Sequence, residues 1–164
     1  MMATAAVYSR RVYFVLAGVV LLLDQSSKAL IAQRLSVGEK QPVIAGLLNL
    51  IHIRNPGAAL GLLSNSDSPW IAAFLIGFSV AASAVIIALL WRGSAGLSGA
   101  ALGLILGGAL GNLLDRVRLG SVVDFLDFRY WPFPFNLADS AIVLGAAALV
   151  AEALRSRRRP PAEA

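Results

Sequence analysis

Cysteine is absent from this 164-residue chain, and histidine occurs once. A disulfide framework, a thiolate zinc site and a cysteine nucleophile are therefore excluded. Charge is scarce too. Only 14% of residues are charged and 58% are hydrophobic, with a mean hydropathy of +0.75. Soluble domains carry about 25% charged residues, so an ordinary soluble globule is excluded, and so is a disordered chain. The formal net charge is +5, and much of the excess lies in the C-terminal run Arg155, Arg157, Arg158 and Arg159. Such a tail reads as a topology anchor beside a membrane, and no nucleic-acid partner is expected. The length fits a single domain, residues 1–164.

Long apolar runs take the place of the missing charge. A membrane helix needs about 20 mostly apolar residues. Residues 70–91 and 93–114 contain no charge at all; 12–32 is interrupted by Asp24 and Lys28, and 133–151 by Asp139. These are four expected spans, separated by loops at 33–69 and 115–132 and followed by a tail at 152–164. Arg10 and Arg11 precede an apolar core, as in a signal peptide. No A-x-A cleavage pattern follows, however, and three more spans do. Arg10, Arg11, Arg92 and the C-terminal arginines all fall on one side if both termini are cytoplasmic. The long loops then lie outside.

The first loop has turn signals at Gly38, Pro42, Gly46 and Asn55-Pro56-Gly57. Between them, residues 50–54 end in apolar/polar alternation and read as a short strand, with His52 as a surface residue. The expected fold is an all-α integral membrane protein: a four-transmembrane-helix bundle with a small extracytoplasmic β-sheet on the outer membrane surface. Ser66-Asp67-Ser68-Pro69 is a helix-start signal for the second span. Gly99, Gly103, Gly107 and Gly111 recur every four residues in the third span, which lets another helix backbone approach closely.

Ionisable groups inside a membrane are costly and mark candidate sites. Asp24 lies about 18 Å above Val12 along the first span at 1.5 Å per residue, in its outer half, with Lys28 one turn further. Asn112, Asp115 and Arg116 stand at the outer end of the third span. Asn136 and Asp139 stand at the outer start of the fourth, and Asp124 and Asp127 in the loop before it. All share one depth. Asp24 and Lys28, at i,i+4, can pair, either as a self-neutralising pair that makes the span tolerable in lipid or as part of a site. Arg116 reads either as an interfacial anchor or as a holder of a carboxylate or lipid headgroup. Asp139 reads as a buried hydrogen-bonded carboxyl or a catalytic one. Asp124, taken alone, reads as a solvated loop residue. Together the two carboxyls could share a proton, one serving as base and the other as acid. Sequence spacing does not place them together.

Other chemistries find less support. A Ser-His pair depends on His52. Residues 24, 25, 31 and 32, at helical spacing from Lys28, are Asp, Gln, Ile and Ala, so no local serine completes a Ser-Lys dyad, and Ser26 and Ser27 point away. H-E-x-x-H and phosphate-binding glycine loops are missing.

Five segments in order carry a family resemblance: residues 24–28 (DQSSK), 55–61 (NPGAALG), 107–116 (GGALGNLLDR), 120–125 (GSVVDF) and 135–140 (FNLADS). With four spans, this order resembles bacterial lipoprotein signal peptidase, or signal peptidase II, over nearly the whole chain. The resemblance implies an intramembrane aspartic endopeptidase of the bacterial inner membrane. Such enzymes remove signal peptides from prolipoproteins carrying diacylglycerol on the lipobox cysteine, cutting immediately before that residue. It implies Asp124 and Asp139 as the catalytic pair. Asp24, Lys28, Asn55, Gly57, Gly108, Asn112, Arg116, Asn136 and Ala138 are implied as the substrate pocket and its support. Membrane lipids are the expected surroundings, four spans could suffice as a monomer, and no cofactor or metal is expected from the residues present. Leu60 departs from the aromatic residue common at that position. Two other classes remain in view. A small four-span transporter would need ionisable groups along a path across the membrane, whereas here they lie on one side. A structural subunit would need no convergence of Asp and Arg.

Overall fold

The computed structural model describes residues 2–57 and 69–157; side chains are described for 10–57, 70–156. The element order is α1 (Met2–Arg34), β1 (Lys40–Ile44), β2 (Leu48–Asn55), α2 (Pro69–Trp91), α3 (Gly96–Leu119), β3 (Val122–Phe128) and α4 (Leu137–Arg157). All four helices are long and apolar enough to cross a membrane. Residues 66–68 of the expected helix-start signal, Leu60, and Arg158 and Arg159 lie outside the described residues. Pro69 does open α2, where its missing N–H costs nothing.

The helices depart from the spans drawn on hydropathy at several ends: α1 covers Met2–Arg34 rather than 12–32, α4 runs on to Arg157 rather than 151, and α2 adds only Pro69 to 70–91. The helix of the third run covers Gly96–Leu119 rather than 93–114. It continues through Asp115 and Arg116 because both are engaged by neighbours, and it ends at Gly120, whose φ of 70° closes the last turn with an N–H bond to the Arg116 carbonyl. The fourth begins at Leu137 rather than 133, because Phe135 pairs with Leu126 in an extended bridge and Asn136 caps the helix that follows.

α3 is the central helix and packs against α1, α2 and α4. Its glycines make this possible. A Cβ at Gly107 would lie 2.6 Å from the Ala17 carbonyl oxygen of α1, and one at Gly103 would lie 2.8 Å from that of Tyr13. Gly108 faces the other way, with the Ala138 carbonyl of α4 against it. The buried apolar cluster of the bundle is Tyr13, Ala17, Ile86, Leu90, Leu102 and Leu106. Val15, Leu22, Phe74, Phe78, Val143 and Leu144 are exposed. Apolar exposure of this extent belongs against lipid rather than water.

The three strands form one antiparallel sheet in the order β1-β2-β3. It is docked on the end of α1 through Ile31, Leu35 and Phe125. His52, expected at the surface, is buried at 4% exposure. The inner face of β2 meets the end of α1 there, and His52 Nδ1 lies 2.8 Å from the Leu35 carbonyl oxygen. The segment 122–128, expected as loop, is a strand. Its β-branched and aromatic residues suit one, and it completes its ladder with Ile53↔Asp124 and Asn55↔Val122. Because strand side chains alternate, Phe125 turns to α1 while Asp124 turns to α4.

Candidate active site

The start of α4 is the centre of the polar cluster. Asn136 precedes the helix and caps it: its Oδ1 accepts the Asp139 N–H at 2.9 Å, and Asp139 Oδ2 accepts the Asn136 N–H at 3.1 Å. This is a capping box with Asp in the place of the usual Glu. Asp139 Oδ1 takes a further bond from Asn112 Nδ2 at 2.8 Å. Asn136 also donates through Nδ2 to Asp124 Oδ1 at 2.7 Å, and Asn55 donates to Asp124 Oδ2 at 3.0 Å. One residue, Asn136, thus holds both aspartates. Asp124 is 3% exposed, so it is no solvated loop residue; β3 carries it into the interior.

Burial pushes the Asp124 carboxyl up from its ordinary value to about 6. The Asn55 bond pulls against this, the charge of Asp139 adds to it, and the Asn136 bond and the Lys28 charge oppose it. Asp127, on the same strand, goes the other way. A hydrogen bond from Lys40, at 2.5 Å, holds it below the usual carboxylate range, with Asn49 assisting at 3.0 Å.

Beneath the pair lies a second layer. Lys28 Nζ is 2.8 Å from Asp24 Oδ2, 2.9 Å from Asp115 Oδ2 and 2.9 Å from Asn112 Oδ1. An ammonium only donates, so it fixes which end of the Asn112 amide faces Asp139. Asp24 Oδ1 accepts the Ala138 N–H at 2.9 Å, another free donor at the start of α4. Gly111 lets Asp24 approach, since a Cβ there would lie 2.6 Å from Asp24 Oδ2. Above the pair, Asn55 Oδ1 accepts the Gly57 N–H at 3.0 Å, and Arg116 donates to the Gly57 carbonyl at 3.1 Å. Arg116 Nε is buried and has no partner among the described residues.

Asp124, Asp139, Asp24, Lys28, Asn55, Gly57, Gly108, Asn112, Arg116, Asn136 and Ala138, named from sequence, therefore meet in one cluster. Two members were not assigned there. Gln25 donates to the Gly111 carbonyl at 3.2 Å and to Asp115 Oδ1 at 3.0 Å. Asp115 accepts the Val123 N–H at 3.1 Å. The available signal for Asp115 was its i,i+3 spacing from Asn112, on the same helix face.

Two carboxyls bonded to one residue, Asp124 by the side-chain amide of Asn136 and Asp139 by its backbone N–H, with a raised Asp124, can divide base and acid roles between them. Comparisons with known proteins converge on one family. The model of the family described as Signal peptidase (SPase) II matches residues 16–155. The lipoprotein signal peptidase of Halothermothrix orenii is 45% identical over 132 residues, 80% of this chain and 88% of that one. That of Geobacter metallireducens is 41% identical over 155 residues, 91% of this chain and 94% of that one. A bacterial membrane enzyme solved by the in meso method at 2.3 Å resolution superposes with a TM-score of 0.83 at 30% identity, covering 93% of this chain and 94% of its own. With four spanning helices and a family model that covers most of its length, the chain is a multi-pass membrane protein that belongs to the signal peptidase II family.

Proposed function

We propose that the protein is an aspartic endopeptidase of the bacterial inner membrane. It removes the signal peptide from diacylglyceryl-modified prolipoproteins by cutting immediately before the lipid-modified cysteine. The observation that carries this is Asn136 donating at once to Asp124 and Asp139, which brings two carboxyls together where one can keep a proton and the other stay ionised. In the reaction the ionised carboxylate takes a proton from water as the oxygen attacks the scissile carbonyl. The protonated carboxyl stabilises the developing oxyanion, and a proton is then delivered to the leaving amine.

The remaining groups fit the same task. Arg116, held by Gly57 and with Nε unpartnered among the described residues, is placed to donate to the substrate backbone or a lipid ester. Lipid-facing helix surfaces beside the site suit both acyl chains and a signal helix. The arginines at 10, 11, 92 and 155 support a cytoplasmic side for both termini, and with that orientation the dyad lies near the outer face, where water can enter. The exposed Tyr130 and Trp131 suit the membrane interface on that side. All the carboxyls and their donors come from one chain, so a monomer suffices.

The test is incubation of the purified protein with one prolipoprotein, diacylglyceryl-modified and unmodified, followed by mass determination of the products. Cleavage before the modified cysteine, with the unmodified substrate at least tenfold poorer, is expected. Equal cleavage of both would remove the lipid from the account.

A further inference from the structure

We propose that Lys28, Asp24 and Asp115 form a clasp that sets the spacing between Asp124 and Asp139, with Asp115 as its positioning residue on the β3 side. The proposal rests on the catalytic reading of Asp124 and Asp139 and adds what holds them apart at a fixed distance.

The two catalytic aspartates come from different elements, one on β3 and one on α4. Neither element alone fixes their separation. Each is tied down one residue earlier in the chain. The Ala138 N–H, just before Asp139, donates to Asp24 Oδ1 at 2.9 Å. The Val123 N–H, just before Asp124, donates to Asp115 Oδ2 at 3.1 Å. The other ends of these anchors meet at one atom: Lys28 Nζ lies 2.8 Å from Asp24 and 2.9 Å from Asp115. Gln25 Nε2 bridges the same two carboxylates, at 3.2 Å and 3.0 Å. All three charged residues are buried, at 0% for Asp24, 3% for Lys28 and 3% for Asp115. Charge-assisted bonds in so dry a setting are short, strong and rigid. Lys28 therefore sits at the midpoint of a chain of bonds running from the Ala138 N–H, beside Asp139, to the Val123 N–H, beside Asp124.

The backbone anchors are used because a carboxylate side chain must stay free to react. Holding the peptide N–H beside each aspartate fixes the main chain that carries it, while exchangeable amide bonds from Asn55, Asn112 and Asn136 orient the carboxyl oxygens. A displacement of about 1 Å in a catalytic group can cost about 100-fold in rate.

Asp115→Ala opens the clasp on the Asp124 side while leaving Lys28 paired with Asp24, so no lone charge is stranded. The expected result in full-length protein reconstituted in lipid is a kcat lower by about 100-fold, with KM within about threefold of wild type. The Asp124 carboxyl, followed by carbon-13 NMR, is expected to titrate below about 6. Its raised value comes from burial and from Asp139 of α4, against the hydrogen bonds of Asn55 and Asn136 and the charge of Lys28 of α1, and Arg116 of α3 also faces the pair. Loosening β3 admits water and so weakens burial, the largest influence, more than the smaller hydrogen-bond influences that it also weakens. Asp127→Ala, which removes an ion pair from the outer end of the same strand, is the control and should keep kcat within about twofold. If Asp115→Ala fails to fold, the isosteric Asp115→Asn is read in the same way, with a kcat loss of about tenfold and a lowered Asp124 midpoint expected. A folded variant with wild-type kcat, with a change in KM alone, or with an unmoved Asp124 midpoint overturns the clasp. Activity in Asp115→Ala beside inactive Asp124→Asn and Asp139→Asn sinks the clasp alone; activity in the latter two sinks the dyad itself.

Discussion

Asp124 shows how strongly surroundings decide the behaviour of one side chain. Burial on β3 raises it to about 6, whereas Asp127, three residues on, is held low by Lys40. A raised carboxyl binds its proton more tightly folded than unfolded. Its contribution to stability is therefore fully present below about pH 4 and is lost as pH rises through about 6. The lost contribution is about 3 kcal/mol at about 1.4 kcal/mol per unit. Asp124→Asn lacks this titration, so its melting temperature relative to wild type should rise between pH 4 and pH 7, measured by thermal unfolding in detergent. A difference that stays flat with pH would contradict the raised value. Asp124 and Asp139 were legible as candidates because each lies in a recognisable motif. Their proximity was not, because it depends on Asn136 turning one way along the backbone and the other through its side chain. His52 was misread for a related reason: alternation shows two faces of a strand but not which one meets α1.

The four helices were legible because a spanning helix needs a long apolar run, and few other elements can contain one. Their ends were less so. Hydropathy stops at the first charge, but α3 passes through Asp115 and Arg116 because Lys28, Val123 and Gly57 receive them. The strand β3 was hidden because two aspartates break its apolar pattern. The glycine periodicity of α3, by contrast, led directly to its packing. A Cβ at Gly107 meets the Ala17 backbone oxygen, whereas one at Gly18 meets nothing within 4 Å. Gly107→Ala should therefore destabilise the bundle by about 1–3 kcal/mol, since a backbone cannot yield as a side chain does. Gly18→Ala should be neutral or stabilising by up to about 1 kcal/mol. Thermal unfolding of both variants in one detergent checks the contrast, and equal stabilities would show that α1 and α3 do not approach this closely.

The molecule as a whole joins a lipid-facing bundle to a small sheet, with the polar cluster where the two meet. Sequence placed every embedded charge at one depth, and the folded chain gathers those charges into one connected network. If the cluster lies at the outer interface, the segment after β3 lies there too. Tyr130 and Trp131, at 77% and 49% exposure, should then touch lipid headgroups. In vesicles, the fluorescence lost on Trp131→Phe should be quenched by lipids brominated near the headgroup. Quenching of that component by aqueous iodide alone would place the segment in water and remove this support for the seating of the sheet.

The central claim is that Asp124 and Asp139 together hydrolyse the peptide bond. The most direct measurement is cleavage of a diacylglyceryl-modified prolipoprotein by wild type, Asp124→Asn and Asp139→Asn, each purified and shown to be folded. Wild type is predicted to cut before the modified cysteine, and both variants to lose at least about 1,000-fold in kcat, about 4 kcal/mol of transition-state stabilisation. Wild-type turnover in either variant would contradict the account.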